Sequence, residues 1–262
     1  MIATHKNIHI VMKYEVNPEF ISYEPMVAAI ASEGIPESAH VIYSGRNTLY
    51  SVPMYDGVNI IVKEFKVPQG INSIIYTTLR KSKARRSFEN AFKLIELGIG
   101  TPKPIAYVEI TKKGRLTKSY YFSMQSDDDT VRDWWEKPDS DALVHGLAEF
   151  MGELHNKGIY HRDLSPGNVL YHRDSDGAYR FSLVDLNRMK FGVHSFSTQM
   201  NNFSSITLNH RENARLAREY ARVTGHKPAE IETIGKHRLD SYLAKKNRIR
   251  VIKNLLPGSK RH

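Results

Sequence analysis

Short runs of apolar and β-branched residues alternate with turn residues in the first half of the sequence. Three such runs occupy residues 41–43, 49–54 and 58–65, and they are separated by turn signals that include Gly45 and an Asp-Gly pair. An Asp-Gly pair between two runs of this kind favours a hairpin, because both residues tolerate the backbone angles of a tight turn. The pattern therefore predicts three short antiparallel strands.

The spacing of apolar residues becomes helical between residues 82 and 97, and Gly98 with two nearby prolines is expected to end this helix. Two further strands are predicted at residues 105–110 and 118–124, joined around Gly114. The three aspartates at 127–129 are interpreted as an exposed connection between two lobes. The first part of the chain is thus predicted to be a sheet with one helix.

The second half of the chain is predominantly helical in pattern. An apolar stripe starts near Ser140 and stops near Gly158, and it is formed by Leu143, Leu147, Phe150, Met151 and Leu154. A hairpin is predicted from residues 169–171 and 181–184, and further helices from 211–223 and 230–243. The whole pattern indicates an α+β protein with a sheet-rich first part and a helical second part.

Length and composition limit the classes of protein that remain. At 262 residues and 40% hydrophobic content, the chain can bury one substantial core or two lobes that share a cleft. The absence of cysteine excludes disulfides, thiolate zinc sites and a thiol nucleophile, and it fits a reducing cytosol. No stretch resembles a signal peptide or a membrane span, so we expect a cytoplasmic protein.

The positive charge is concentrated in the C-terminal tail. Residues 236–262 contain nine Lys or Arg against one acidic residue, a net charge of +8, which leaves about +2 of the chain's +10 for the rest. Such a tail could bind an anionic membrane surface or nucleic acid, or it could be only a solvated, partly disordered end.

One string carries the strongest chemical signal. It reads Tyr-His-Arg-Asp-Leu-Ser-Pro-Gly-Asn over residues 160–168, and Val-Asp-Leu-Asn follows at 184–187. Phosphoryl transfer needs residues that hold Mg²⁺, neutralise phosphate charge and place an acceptor hydroxyl. Asp163 could accept the hydroxyl proton, while Asn168 and Asp185 could bind the metal. These residue types also favour turns and caps, but a position between an apolar helix and a hairpin favours a kinase catalytic loop.

A lysine and a glutamate are candidates for anchoring phosphate. Lys63 lies in a strand of apolar residues, and Glu89 of the following helix could orient it through a charge-assisted pair. Glu96 on the same helix is the alternative partner, and an outward-facing edge lysine is the alternative for Lys63. Gly45 and Asn47 belong to a turn that could cradle phosphate with its N–H groups, although a plain hairpin turn fits as well.

Taken together, these strings resemble the lipopolysaccharide kinase family, whose members phosphorylate Kdo or heptose sugars of the bacterial inner core. The resemblance runs from about residue 44 to about 191. The strings that carry it are Gly45-Arg46-Asn47, Val62-Lys63, residues 81–91, residues 98–104, the catalytic loop and residues 185–189.

The resemblance implies a two-lobed, protein-kinase-like fold. Residues 1–125 would form an antiparallel-sheet N-lobe, and residues 126–262 a mostly helical C-lobe with the basic tail. It also implies ATP and Mg²⁺, or Mn²⁺, as cofactors. Asp163 would be the base, Asn168 and Asp185 the metal ligands, and Lys63 with Glu89 the phosphate anchor.

The expected acceptor is a sugar or glycolipid, with no nucleic acid as partner. The chain has Asp-Leu-Asn where protein kinases have Asp-Phe-Gly, Ser165 where a lysine is typical, and no Ala-Pro-Glu string after Asp185. Two alternatives remain, a compact serine/threonine protein kinase and a non-catalytic nucleotide-binding module. The basic residues 80–86 are either a solvated helix entry or an anionic-substrate site, and the tail could hold the enzyme at the inner face of the cytoplasmic membrane.

Overall fold

The computed structural model describes residues 10–67, 81–132 and 140–255. The chain divides into two compact units. The first runs to Asp127 and also includes Asp185–Asn187, and the second holds the rest of the chain from Asp128 onward. The lobe boundary that the sequence suggests, between residues 125 and 126, stays a prediction. Arg80, the first nine residues and the last seven lie outside the described residues.

The first unit contains a six-stranded sheet in which every neighbouring pair is antiparallel. In sheet order its strands are β1 (Ile10–Val16), β5 (Pro104–Lys112), β6 (Arg115–Met124), β4 (Asn59–Phe65), β3 (Asn47–Pro53) and β2 (His40–Ser44). The antiparallel sheet predicted for this part of the chain is confirmed. It gains one strand that the sequence pattern did not indicate, β1.

Both faces of this sheet are covered by other parts of the first unit, as the buried residues of β4 show. Ile60 and Val62 are fully buried on one face, and Phe65 is buried on the other face, which it shares with Lys63. This arrangement follows from the strand period of two, which sends successive side chains to opposite faces.

One face packs against helix α1 (Glu24–Glu33), and the other against helix α2 (Lys83–Glu96). Ser82 caps α2 by accepting a hydrogen bond of 3.0 Å from the Arg85 N–H. The helix ends before Gly98, whose φ of 70° favours glycine. On its buried side Ala84 and Phe88 pack against Phe65, so α2 covers the face of the sheet that carries Lys63.

The second unit is mostly helical, as predicted. Its helices are α3 (Ser140–Asn156), α4 (Phe196–Gln199), α5 (His210–Thr224) and α6 (Pro228–Leu255). Its short strands are β7 (Asp129–Thr130), β8 (Ile159–His161), β9 (Val169–Arg173), β10 (Tyr179–Leu183) and β11 (Met189–Phe191). The apolar stripe of α3 is buried, with Leu143, Leu147 and Met151 at most 1% exposed. The predicted hairpin forms from β9 and β10.

Helix α6 continues to Leu255, beyond the predicted end near residue 243. In the part of the chain that the structure describes, no helix is both long enough and apolar enough to cross a bilayer.

Candidate active site

The loop between β8 and β9 carries the predicted catalytic residues, and His161 holds it in place. This side chain is fully buried. Its Nε2 lies 3.1 Å from the Val184 carbonyl, and its Nδ1 lies 3.2 Å from the Asp163 N–H. With Nε2 protonated and Nδ1 accepting, both contacts are hydrogen bonds. His161 therefore joins the loop to the residue that precedes Asp185.

Asp163 is partly exposed and makes a close ion pair within the second unit. Nη1 of Arg188 donates to both carboxylate oxygens, at 2.8 and 2.9 Å. Arg188 is one of the residues that carry the family resemblance, but its contact with Asp163 was not predicted. The signal that could have indicated this contact is the positive charge of Arg188, which lies three residues after Asp185 in the same motif.

Asn168 lies at the end of a short 3-10 turn, Pro166–Asn168. Its Nδ2 donates to the Asp163 carbonyl at 2.8 Å, so the amide nitrogen is held by the loop and the amide oxygen is the atom that could bind a cation. A Cβ on the neighbouring Gly167 would lie 2.4 Å from Nη2 of Arg132, the far end of a flexible side chain. Arg132 is therefore a second cationic side chain beside this loop that sequence reasoning missed.

Lys63 and Asp185 meet in the first unit. The Lys63 ammonium donates to Oδ1 of Asp185 at 2.5 Å, and the two side chains are 13% and 27% exposed. Asn187 donates to the same oxygen at 2.8 Å. Asp185 has a φ of 60°, in the left-handed region that non-glycine residues seldom adopt. Strain of this kind, of order 1–3 kcal/mol, is concentrated at functional sites.

The predicted pair of Lys63 with Glu89 is not formed. Glu89 accepts hydrogen bonds from Lys81 at 2.7 Å and from Arg85 at 2.8 Å. Burial alone would raise the pKa of Glu89, but these two hydrogen bonds and charges outweigh it and lower the pKa. The physical reason is local: Arg85 lies one helical turn before Glu89, where an ion pair forms readily.

A different residue of α2 approaches the segment that contains Asp185. Nδ2 of Asn90 donates to the Leu186 carbonyl at 2.7 Å. Sequence reasoning chose Glu89 because only the acid has a charge to offer Lys63. In the structure, the next residue of the helix, Asn90, faces the segment that contains Asp185.

Gly45 and Asn47 form the turn between β2 and β3. The Gly45 N–H donates to the Asn47 carbonyl at 3.1 Å, and the Asn47 side-chain oxygen accepts from the Lys66 N–H at 3.3 Å. The Asn47 side chain thus ties the start of β3 to the end of β4. A role for either residue in binding phosphate stays a prediction.

The two expected metal ligands can be compared with the ligand types that Mg²⁺ prefers. In the described residues, no group of three or more His, Cys, Asp or Glu side chains is arranged to hold a metal ion. An amide oxygen from Asn168 and a carboxylate from Asp185 are nevertheless hard oxygen donors of the kind Mg²⁺ prefers. Mg²⁺ typically uses one or two protein carboxylates and completes its shell with water and phosphate oxygens. Each of the two donors, taken by itself, is of the chemical type that suits such an ion.

Comparison with known proteins gives a consistent result. The model of the lipopolysaccharide kinase (Kdo/WaaP) family matches residues 45–223, more than half of the chain. A curated relative is the lipopolysaccharide core heptose(I) kinase WaaP of Pseudomonas aeruginosa, 30% identical over 117 residues. That alignment covers 40% of this chain and 44% of the relative, so the chain spans less than half the length of the curated protein it matches.

Solved structures show the same fold. WaaP in complex with acyl carrier protein is similar with a TM-score of 0.57 at 19% identity, over 90% of this chain and 98% of that one. An aminoglycoside-3'-phosphotransferase of type VIII is similar with a TM-score of 0.54 at 14% identity, over 84% and 98% of the two chains. The predicted kinase-like fold is confirmed. The chain belongs to the Kdo/WaaP lipopolysaccharide kinase family.

Proposed function

We propose that this protein is an ATP-dependent kinase that transfers the γ-phosphate to a sugar hydroxyl of a lipopolysaccharide-core glycolipid. The observation that carries the proposal is the Lys63–Asp185 pair, 2.5 Å long, with Asp185 in a left-handed backbone conformation. Family membership supports the sugar acceptor.

Each residue of the site has a role in this chemistry. The Lys63 ammonium neutralises phosphate charge, and Asp185 and Asn168 supply oxygen ligands for Mg²⁺. Mg²⁺ held by these two residues would supply positive charge against the transferring phosphoryl group. Asp163 accepts the proton of the acceptor hydroxyl as the hydroxyl oxygen forms a bond to the γ-phosphorus and the bond from that phosphorus to the β–γ bridging oxygen breaks, which releases ADP. Arg188 keeps the Asp163 carboxylate in one orientation.

A sugar acceptor is favoured over a protein by features of the sequence. No Ala-Pro-Glu string follows Asp185, so the element that anchors a protein substrate in protein kinases is missing. Ser165 also replaces the lysine typical of serine/threonine kinases. A protein acceptor is therefore included in the experiment as the competing outcome.

The decisive experiment measures phosphate transfer from labelled ATP with Mg²⁺ or Mn²⁺. The acceptors are deacylated core oligosaccharide and a generic protein substrate. We expect transfer to the oligosaccharide, and we expect Asp163→Asn to reduce kcat by about 10²–10⁴-fold, because it removes a positioned general base. Nucleotide affinity should change little.

Asp176→Asn is the matched control. Asp176 lies in the exposed β9–β10 turn and loses the same charge in this variant, so its activity should equal that of the wild type. Transfer to the protein substrate alone would contradict the proposed sugar acceptor and indicate a protein kinase. If the wild type transfers to neither acceptor and does not hydrolyse ATP, a non-catalytic nucleotide-binding module becomes the better account.

We also propose that the enzyme works at the inner face of the cytoplasmic membrane, where a lipid-linked sugar would be presented. Support comes from the exposed C-terminal part of α6. There the basic Lys245, Lys246, Arg248 and Arg250 alternate with exposed apolar residues, among them Ile249. Basic residues attract anionic headgroups, and apolar side chains beside them can enter the interface.

A further inference from the structure

Two lysines of the first unit share one aromatic ring. Nζ of Lys63 lies 5.3 Å from the centre of the Phe65 ring, and Nζ of Lys83 lies 5.8 Å from the same centre. Lys63 belongs to β4, and Lys83 is the first residue of α2. A strand and a helix thus bring two ammonium groups to one place, each within the range of a cation–π contact.

The charge around Lys83 is not balanced. Burial lowers its pKa, and the positive charges of Arg46, Arg86 and Lys63 lower it further, while Asp185 acts in the opposite direction. The charges that act on Lys83 are thus those of three cationic side chains and one carboxylate. Positive charge in excess of this kind attracts anions.

Lys83 also differs from the neighbouring basic residues in its partners. Lys81 and Arg85 both bond to Glu89. In the described residues, the Lys83 ammonium forms no hydrogen bond or ion pair, although it is partly buried. A cation taken partly out of water without a direct ion-pair partner costs free energy, which an incoming anion would recover.

The position of Lys83 at the start of α2 adds to this potential. The first turn of a helix presents backbone N–H groups and the positive end of the helix dipole. The first turn of α2 itself contains no acidic residue, and a carboxylate at its start is that of Glu109 of β5, which accepts a hydrogen bond of 3.3 Å from the N–H of the capping Ser82. The turn with Arg46 lies between β2 and β3, and that arginine acts on Lys83 as well.

We propose that Lys83, with Arg46, binds phosphate oxygens of the nucleotide beside Lys63. The inference rests on the proposed function. The sequence predicted that α2 would contribute an acidic partner for Lys63. In this proposal α2 contributes a second cation, Lys83, which contacts the phosphate directly. Lys63 keeps Asp185 as its partner, and Lys83 supplies an additional positive charge for the phosphate chain.

The test measures equilibrium binding to the full-length protein with Mg²⁺ and no acceptor. The ligands are ATP, inorganic tripolyphosphate and the sugar acid Kdo. We expect Lys83→Met to weaken ATP and tripolyphosphate by about 10–100-fold, the loss typical of a hydrogen bond to a charged group. Arg46→Met should weaken both to a smaller extent.

Lys93→Met is the matched control, because Lys93 lies exposed on the same helix and its replacement removes the same charge. It should bind all ligands as the wild type does. Lys83→Met should unfold at the same temperature as the wild type or higher, because it removes repulsion, yet it should lose most of the stabilisation that tripolyphosphate gives.

Three outcomes would overturn the proposal. They are wild-type tripolyphosphate affinity in Lys83→Met, equal weakening in Lys93→Met, and loss of Kdo binding alone, which would assign the cluster to the acceptor. Binding of tripolyphosphate without transfer to any acceptor would instead contradict the proposed function and leave the phosphate site standing.

Discussion

At the scale of single residues, the ion pair with Arg188 fixes the orientation of the Asp163 carboxylate, the expected base. One arginine nitrogen contacts both carboxylate oxygens, and an ionised carboxylate offers about four lone-pair positions. An acceptor hydroxyl can therefore still approach Asp163 while Arg188 is bound. Under the proposed function the arginine would act through Asp163, as a positioning residue.

Replacing Arg188 by methionine should lower kcat about 10–100-fold and change KM for the acceptor much less. The reason is that a misplaced base affects the chemical step more than binding. Steady-state kinetics with the oligosaccharide acceptor measure both constants. Arg188→Lys should recover part of kcat, and Arg180→Met, on the surface hairpin, should have no effect. A rise in KM alone would show that Arg188 binds substrate.

The sequence located the loop residues because their spacing is fixed by one short loop. Asp163 and Asn168 lie within six residues of chain, and their relation is local. Contacts such as Lys63 with Asp185 cross 122 residues, and no local pattern encodes the choice between rival partners. The wrong choice of Glu89 has the same cause. Which polar residue of α2 faces Lys63 depends on the rotation of the helix about its axis, and the packing of its apolar face sets that rotation.

At the scale of elements, the regular patterns were predicted and the atypical ones were missed. Strand β1 pairs with β5 along its whole length, but six of its seven residues are exposed, so its burial does not alternate as that of a half-buried strand does. Helix α1 has a short, alanine-containing sequence with buried Val27 and Ile30 and little polar contrast. Both elements depend on distant partners for their stability.

Two helices and a short turn of the second unit are joined by a buried histidine. Nδ1 of His155 lies 2.7 Å from the Tyr220 hydroxyl, and Nε2 lies 3.0 Å from Oδ1 of Asn202. Asn202 in turn donates to the His161 carbonyl at 2.7 Å. The network thus links α3 and α5 to the end of β8, where the loop that carries Asp163 begins.

The stability of the protein should fall on mild acidification because of His155. Burial lowers its pKa from the usual 6.5, against the effect of Asn202, and the charge of His194 lowers it further. The unfolded chain therefore takes up a proton near pH 6.5 that the folded chain does not bind. Stability from this group is complete above that pH and is lost as the pH falls below it.

Urea unfolding at pH 7.5 and 5.5 measures this effect. His155→Gln should reduce the pH dependence and lower the free energy of unfolding by about 1–3 kcal/mol at pH 7.5, because buried partners are left unsatisfied. His237→Gln, at an exposed position of α6, is the control and should behave like the wild type. An unchanged pH dependence in His155→Gln would contradict the assignment.

At the scale of the whole molecule, the excess positive charge belongs mainly to the end of the chain. The described part of α6 up to residue 252 is exposed over most of its last two turns. We expect the protein to sediment with vesicles that contain anionic lipid and not with neutral vesicles, and to be released by salt.

Replacing Lys245, Lys246, Arg248 and Arg250 by glutamine should abolish this binding. At about 1 kcal/mol per basic residue, the loss amounts to roughly three orders of magnitude in affinity. The control replaces four exposed basic residues of the β5–β6 hairpin, Lys112, Lys113, Arg115 and Lys118. Equal loss in both variants would indicate a general charge effect, and the tail would have no special role.

The assignment of Asp185–Asn187 to the first unit has a consequence for the order of synthesis. When a ribosome has released the chain as far as Asp127, Lys63 is present but its carboxylate partner has not been made. The first unit can be completed only after more than fifty further residues have emerged. A nascent chain that stalls between these points would leave the Lys63 ammonium without this carboxylate, so an N-terminal fragment is not equivalent to a folded half of the protein.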